Sequence, residues 1–189
     1  MVRGRGASAV LVREPVEWTL TWVGLNRLRK TNTPFLMAGV VPLVEPFSFT
    51  GAPYGLRSDA ARRPGTVDLL AADTFAVVES FVLDDALPVL DSWTPERLAD
   101  RAEANFALPA GERGHPEFSS AAGWRAVNDS GSPVEPAREA AELLRAREAE
   151  DLAGWYESLV MSFEEGGRPR ALEFLEEQRH AGLTRMKVW

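Results

Sequence analysis

Along residues 75–83, FAVVESFVL, the side chains alternate with a period of two. Phe75, Val77, Glu79, Phe81 and Leu83 share one parity; Ala76, Val78, Ser80 and Val82 share the other. A run rich in Val and Phe, closed by Asp84 and Asp85, predicts a strand. On that strand Glu79 lies on the bulky apolar face, between Val77 and Phe81. A strand that kept its polar side wet would put the carboxylate on the face with Ser80.

The same period recurs upstream. Residues 7–13 predict a short strand that stops at Pro15. Residues 16–23, VEWTLTWV, place Val16, Trp18, Leu20 and Trp22 on one side and Glu17, Thr19 and Thr21 on the other, the mark of a half-buried antiparallel strand. Residues 24–34 then form a basic turn region. Residues 35–49 are extended, with Pro42 and Pro46 pointing to an edge strand or a broken pair of strands. Glu45 repeats the pattern of Glu79, a carboxylate between Leu43 and Phe47 on a bulky apolar parity, with Pro46 free to bend it outward. Residues 51–65 read as a Gly/Pro surface loop, and 66–71 as a strand pairing with 75–83 through a turn at Ala72 and Asp73.

Beyond Pro88 the pattern turns helical. Thr94 caps, Pro95 takes the first helical position and Glu96 favours the N-terminal dipole, predicting a helix to about Phe106. Residues 109–131 form a long Gly/Pro/Ser/Asn stretch, which at this length is commonly a functional flap or poorly ordered. Ser132 and Glu135 have capping-box spacing ahead of a helix to about Glu165, interrupted near Gly154. Gly166 and Gly167 stop it, a short helix covers 169–181 up to Gly182, and 183–189 reads as a terminal strand. Strands first and helices later predict an α+β fold, a mostly antiparallel sheet from the N-terminal half with the C-terminal helices on one face. At 189 residues the chain is read as one domain, mainly strands over 1–90 and mainly helices over 91–189.

Composition narrows the function. The net charge is −7, and the basic residues crowd into the N-terminal third: nine Arg/Lys against four Asp/Glu through residue 65, twelve against twenty-four beyond it. No basic block is interleaved with exposed aromatics, so a nucleic-acid partner is not expected. The longest apolar run, 35–44, is too short to span a bilayer, so no membrane partner is expected either. With no Cys there is no disulfide framework, thiolate metal site or Cys nucleophile. That fits a reducing compartment, and no leader pattern is visible, so a cytoplasmic location is the expectation.

Several groups could carry chemistry. A buried Glu79 would have its charged form disfavoured and would suit general acid–base work near neutral pH, with Glu45 as a second carboxylate. His115, on the long loop, could serve as a lid-borne acid or base. Arg57, Arg62 and Arg63 could clamp a carboxylate or phosphate, and Trp18, Trp22 and Phe81 could wall an aromatic pocket. Each has a plainer reading: Glu79 as half of a structural ion pair, the arginines as solvated charge, the tryptophans as ordinary core. Glu112 to His115 and Glu177 to His180 have Glu-x-x-His spacing, but the first lies in a Gly/Pro loop, so no metal is expected. No phosphate-binding glycine fingerprint, P-loop or nucleophile elbow is present, and no cofactor is expected.

These residues describe a small cofactor-independent enzyme. A buried carboxylate would move protons on an anionic, aromatic small molecule, in an isomerisation, a dehydration or a ring-closing condensation such as a Pictet–Spengler-type cyclisation. The alternative is a non-catalytic ligand-binding or protein-interaction module, docking a partner on the charged helix at 137–151. A homodimer is compatible with either, since an edge strand and a long helix both offer self-complementary surfaces.

Overall fold

The computed structural model describes residues 2–3, 9–27, 34–46, 54–57, 71–109, 112–113 and 119–185. Five strands form one sheet in sequence order: β1 (Val2–Arg3), β2 (Ala9–Val12), β3 (Thr19–Arg27), β4 (Pro34–Pro42) and β5 (Tyr54–Arg57). β1 with β2, β2 with β3 and β4 with β5 pair antiparallel; in the second pair Ala9 stands opposite Leu25 and Val12 opposite Trp22. Helices follow: α1 (Thr74–Ser80), a π-helical segment Phe81–Ala86, α2 (Leu87–Asp91), α3 (Pro95–Phe106), α4 (Ser120–Asn128), α5 (Val134–Arg145) and α6 (Glu150–Arg185). The fold is α+β, as the pattern predicts. The described residues group into two compact units, one drawing on 1–41 and 49–94, the other on 42–48 and 95–187.

In the sheet unit the alternation read from 16–23 holds: Leu20, Trp22 and Gly24 are buried, while Thr19, Thr21, Val23 and Leu25 are half-buried. Of the two alternatives for 35–49, β4 does not form the edge strand. It lies between β3 and β5 and is buried from Phe35 through Pro42, on both faces. Pro42 is tolerated because it closes the strand, where the missing N–H removes no central ladder bond. Within the supposed loop 51–65, residues 54–57 form β5.

The largest correction concerns 75–83, which is helical throughout. Thr74 Oγ1 donates to the Ala71 carbonyl at 2.8 Å and Val77 N–H to that of Asp73 at 3.0 Å, so the first turn closes where a hairpin turn was expected. The inward stripe is Phe81, Ala86 and Leu90. Its first step of five residues matches the i→i+5 turns there, and the second, of four, matches the α-helix that follows. The widened turns also end just before Pro88, whose missing N–H and ring would break a regular ladder. β-Propensity is context-dependent, and here burial of that stripe overrides it. Residues 66–70, the expected partner strand, lie outside the described set.

In the helical unit, α3 occupies the predicted span with the predicted Pro95 start, and buries Leu98, Ala99, Ala102 and Phe106 at helical spacing. The stretch 109–131 contains α4, which was not expected. The interruption near Gly154 falls instead at 146–149, where Glu148 has a φ of 59°. The capping box does not close: Ser132 Oγ accepts from Val134 N–H at 3.3 Å, with Pro133 at the cap position. α6 turns at Gly166 and Gly167, the latter with a φ of 65° that suits glycine. Trp155 and Phe174 would lie nearly 30 Å apart along a straight helix, yet their ring centroids are 5.2 Å apart. The two halves of α6 therefore fold back as a hairpin, in line with the stop predicted at the glycine pair. Leu183–Arg185 continue the helix where a strand was expected.

Candidate functional site

Pro42 ends β4, and residues 43–45 form a bend that belongs to the helical unit. α4 lies directly on this bend. A Cβ added at Gly123 would strike the Val44 carbonyl and come within 2.6 Å of the Val44 Cβ, so only glycine permits the approach. One turn earlier, Ser119 Oγ donates to Glu45 Oε2 at 3.0 Å. Tyr156, from the buried stripe of α6, lies within electrostatic reach of both Ser119 and Glu45. A carboxyl, a hydroxyl and a phenol thus meet from three segments far apart in the chain. Ser119 and Tyr156 are each 2% exposed; Glu45 keeps part of its surface while protein crowds its carboxyl.

The electrostatics follow from that crowding. Desolvation pushes the Glu45 carboxyl up to about 8, and the Ser119 hydrogen bond opposes the rise without cancelling it. Tyr156 is held well above the ordinary phenol range, first by desolvation and then by the neighbouring Glu45. Near pH 7 Glu45 is therefore a neutral acid able to give a proton, and Tyr156 a neutral hydroxyl.

The scaffold around α4 is tied at both ends. Arg125 forks onto Glu103 of α3, Nε to Oε1 at 2.7 Å and the terminal nitrogen to Oε2 at 2.8 Å. Its guanidinium and that of Arg113 lie 5.0 and 4.6 Å from the Phe106 ring centroid, and Arg113 pairs with Glu139 of α5. Just past the α6 turn, Arg168 donates to the Ala126 and Val127 carbonyls, both at 2.8 Å, filling acceptors that the end of α4 leaves open.

The residues singled out in the sequence fare differently. Glu45 belongs to the helical unit and Glu79 to the sheet unit, so the two do not share a unit. Glu79 is exposed on α1, not buried on a strand face, which removes the premise for its acid–base role. Phe81 is buried, two residues on and turned to the other side of the helix. Trp22 is buried in β3 and Trp18 half-buried just before it. Arg57 ends β5. Arg62, Arg63 and His115 lie outside the described residues. Glu177 and His180 are exposed on α6. Among the described residues no group of three or more His, Asp or Glu is placed to hold a metal ion, and no helix is long and apolar enough to cross a membrane.

Ser119 and Tyr156 were not found from the sequence. Tyr156 carried a signal: it is the one hydroxyl in the stripe Leu152, Tyr156, Leu159, Val160, and a buried phenol seeks a partner. Ser119 and Ser120 before an Ala-rich run marked a helix start that the surrounding Gly and Pro obscured. Comparison of the chain with protein-family models, curated proteins and solved structures finds no match. The chemistry of the Glu45 cluster therefore carries the functional argument alone.

Proposed function

We propose that this chain is a cofactor-independent acid–base catalyst acting on a small molecule, with Glu45 as the acid. The observation that supports it is a carboxyl crowded by protein and hydrogen-bonded by Ser119 on a half-buried residue, where desolvation pushes it up to about 8. Catalytic acids are tuned upward by burial in this way. A group that starts protonated gives a proton first and recovers it later, which suits isomerisation, dehydration or ring-closing condensation. An anionic, aromatic substrate stays in the proposal only as an expectation from the sequence composition.

The test compares wild type with Glu45→Gln against a panel of small aromatic acids, amines and aldehydes, following binding by calorimetry and turnover by mass change. The expected result is a folded variant that keeps binding and loses turnover. Equal activity in both forms would sink the proposal. The alternative, a non-catalytic binding or interaction module, draws on Phe75, Val77 and Leu83, which are 77%, 40% and 55% exposed on α1 and the π segment. It predicts that no member of the panel is turned over by either form.

A further inference from the structure

Among the described residues Phe75 is the most exposed large apolar side chain, at 77%, and Leu83 stands eight residues further on at 55%. Unlike the other described helices, α1 buries none of its residues, so the core makes no use of Phe75. Glu79 lies midway between the two and is exposed as well. A step of four residues carries an α-helix roughly 40° past a full turn. The wider π turns that begin at Phe81 fall short of a full turn over the same step, which brings Leu83 back into line with Phe75 and Glu79. The three side chains form one ridge roughly 12 Å long.

The ridge is acidic as well as apolar. Residues 64–96 hold seven Asp or Glu and no Arg, Lys or His. Asp91, at the end of α2, is met by Arg13. Asp84, beside Leu83, accepts from Ser80 Oγ at 2.6 Å. Among the described residues no cation pairs with Glu79 or Asp84. We propose that this ridge docks a short basic amphipathic helix of a partner protein, its apolar stripe laid along Phe75 and Leu83 and its Lys or Arg side chains set against Glu79 and Asp84. Apolar anchors inside a charged rim are the usual anatomy of such a contact.

Charge and size select that occupant. A membrane surface carries anionic headgroups, which attract basic segments and repel this one. A second copy turned onto the same ridge would set Glu79 and Asp84 against their own counterparts, and like charges oppose that pairing. The ridge is one helix wide, a strip on the order of 100–200 Å². A stable contact between two folded proteins takes about 800 Å² from each. A short helix held weakly fits the strip; a folded copy does not. The ridge lies in the sheet unit and Glu45 in the helical unit, so the proposal does not rest on the acid–base reading.

The test titrates the full chain, by fluorescence anisotropy, with two labelled amphipathic peptides: one of Leu, Ala and Lys, the other with Glu in place of Lys. Wild type is expected to bind the Lys peptide, more weakly as salt rises, and to ignore the Glu peptide. Phe75→Ser with Leu83→Ser is expected to weaken binding about tenfold or more, as the loss of two apolar anchors implies. Met161→Ser, at an equally exposed site on α6, should leave it unchanged. Glu79→Lys should weaken the Lys peptide and admit the Glu peptide. Equal binding by wild type and the Phe75→Ser, Leu83→Ser variant overturns the proposal, because the attraction then comes from the net charge of −7 alone. A wild type that binds neither peptide overturns it too. So does a wild-type dimer, or flotation on phosphatidylcholine vesicles, that the same two substitutions abolish; the occupant would then be a second copy or a lipid surface. If the double variant does not fold, the exchange of peptide preference in Glu79→Lys decides, and its absence overturns the proposal. Glu45→Gln should bind the Lys peptide as wild type does.

Discussion

Between Leu43 and Phe47, and again between Val77 and Phe81, the chain sets a glutamate among bulky residues at i±2. At Glu45 the chain bends, Leu43 and Val44 are both buried whatever their parity, and the carboxyl is crowded by protein and hydrogen-bonded by Ser119. At Glu79 the backbone is helical. Residues two apart then sit roughly 200° around the axis, so Phe81 faces in while Glu79 faces water. The same three-residue signature means opposite things on the two backbones. Parity predicts burial only where the period of two is already secured by a neighbouring strand or a packed element. At Glu45 the packing of α4 on Val44, not parity, crowds the carboxyl; α1 has no buried residue at all.

The comparison breaks most visibly under pH. The folded protein holds a proton on Glu45 that the unfolded chain releases near its ordinary value, so native Glu45 binds the extra proton between about 4.5 and about 8. Stability therefore falls as pH rises through that window, by up to ~1.4 kcal/mol per pH unit, and levels off above it. Urea unfolding from pH 5 to pH 9 should show this slope. In Glu45→Gln the slope should largely vanish, and the variant should be the more stable form at pH 8.5. A Glu45→Gln curve parallel to wild type would show that the carboxyl is not desolvated.

Gly123→Ala is next in size. The added methyl meets the Val44 backbone, and overpacking against backbone costs about 1–3 kcal/mol. As α4 is forced off the bend, Glu45 gains water and its midpoint should move back down toward the usual carboxylate range. Chemical denaturation and the Glu45 titration check the two effects separately.

Ser119→Ala removes one hydrogen bond to Glu45, a loss of about 1 kcal/mol, and shifts the Glu45 midpoint further up rather than down. The opposite signs in Gly123→Ala and Ser119→Ala separate loss of desolvation from loss of a donor. Glu79→Gln should change stability by less than ~0.5 kcal/mol, as expected for an exposed site, and should leave the pH slope intact. A Glu79→Gln loss above ~2 kcal/mol would restore a structural role for that carboxylate.

Much of the fold was legible locally. The α3 start at Pro95, the alternation through Leu20 and Trp22, and the turn at Gly166–Gly167 all follow from residues within one turn or one strand of each other. α4 was hidden because Gly123, which reads as a helix breaker, is there for its close approach to Val44. The helix at 74–80 was hidden because Val and Phe favour strands only when a pairing partner exists. At the candidate site Glu45 was visible as a carboxylate in an apolar pattern, whereas Ser119 and Tyr156 were visible only as a loop serine and a core tyrosine.

What the sequence determined by itself was the α+β order of elements, the helix termini set by Pro95 and the glycine pair, and the presence of two carboxylates flanked by apolar residues in the chain. Caps, prolines and periodicities act over a few residues and can be read there. Only the tertiary structure decided which carboxylate was withdrawn from water. Desolvation and the Ser119 bond come from elements as far as 74 residues away in the chain, and no local pattern encodes which distant helix will close over a given side chain.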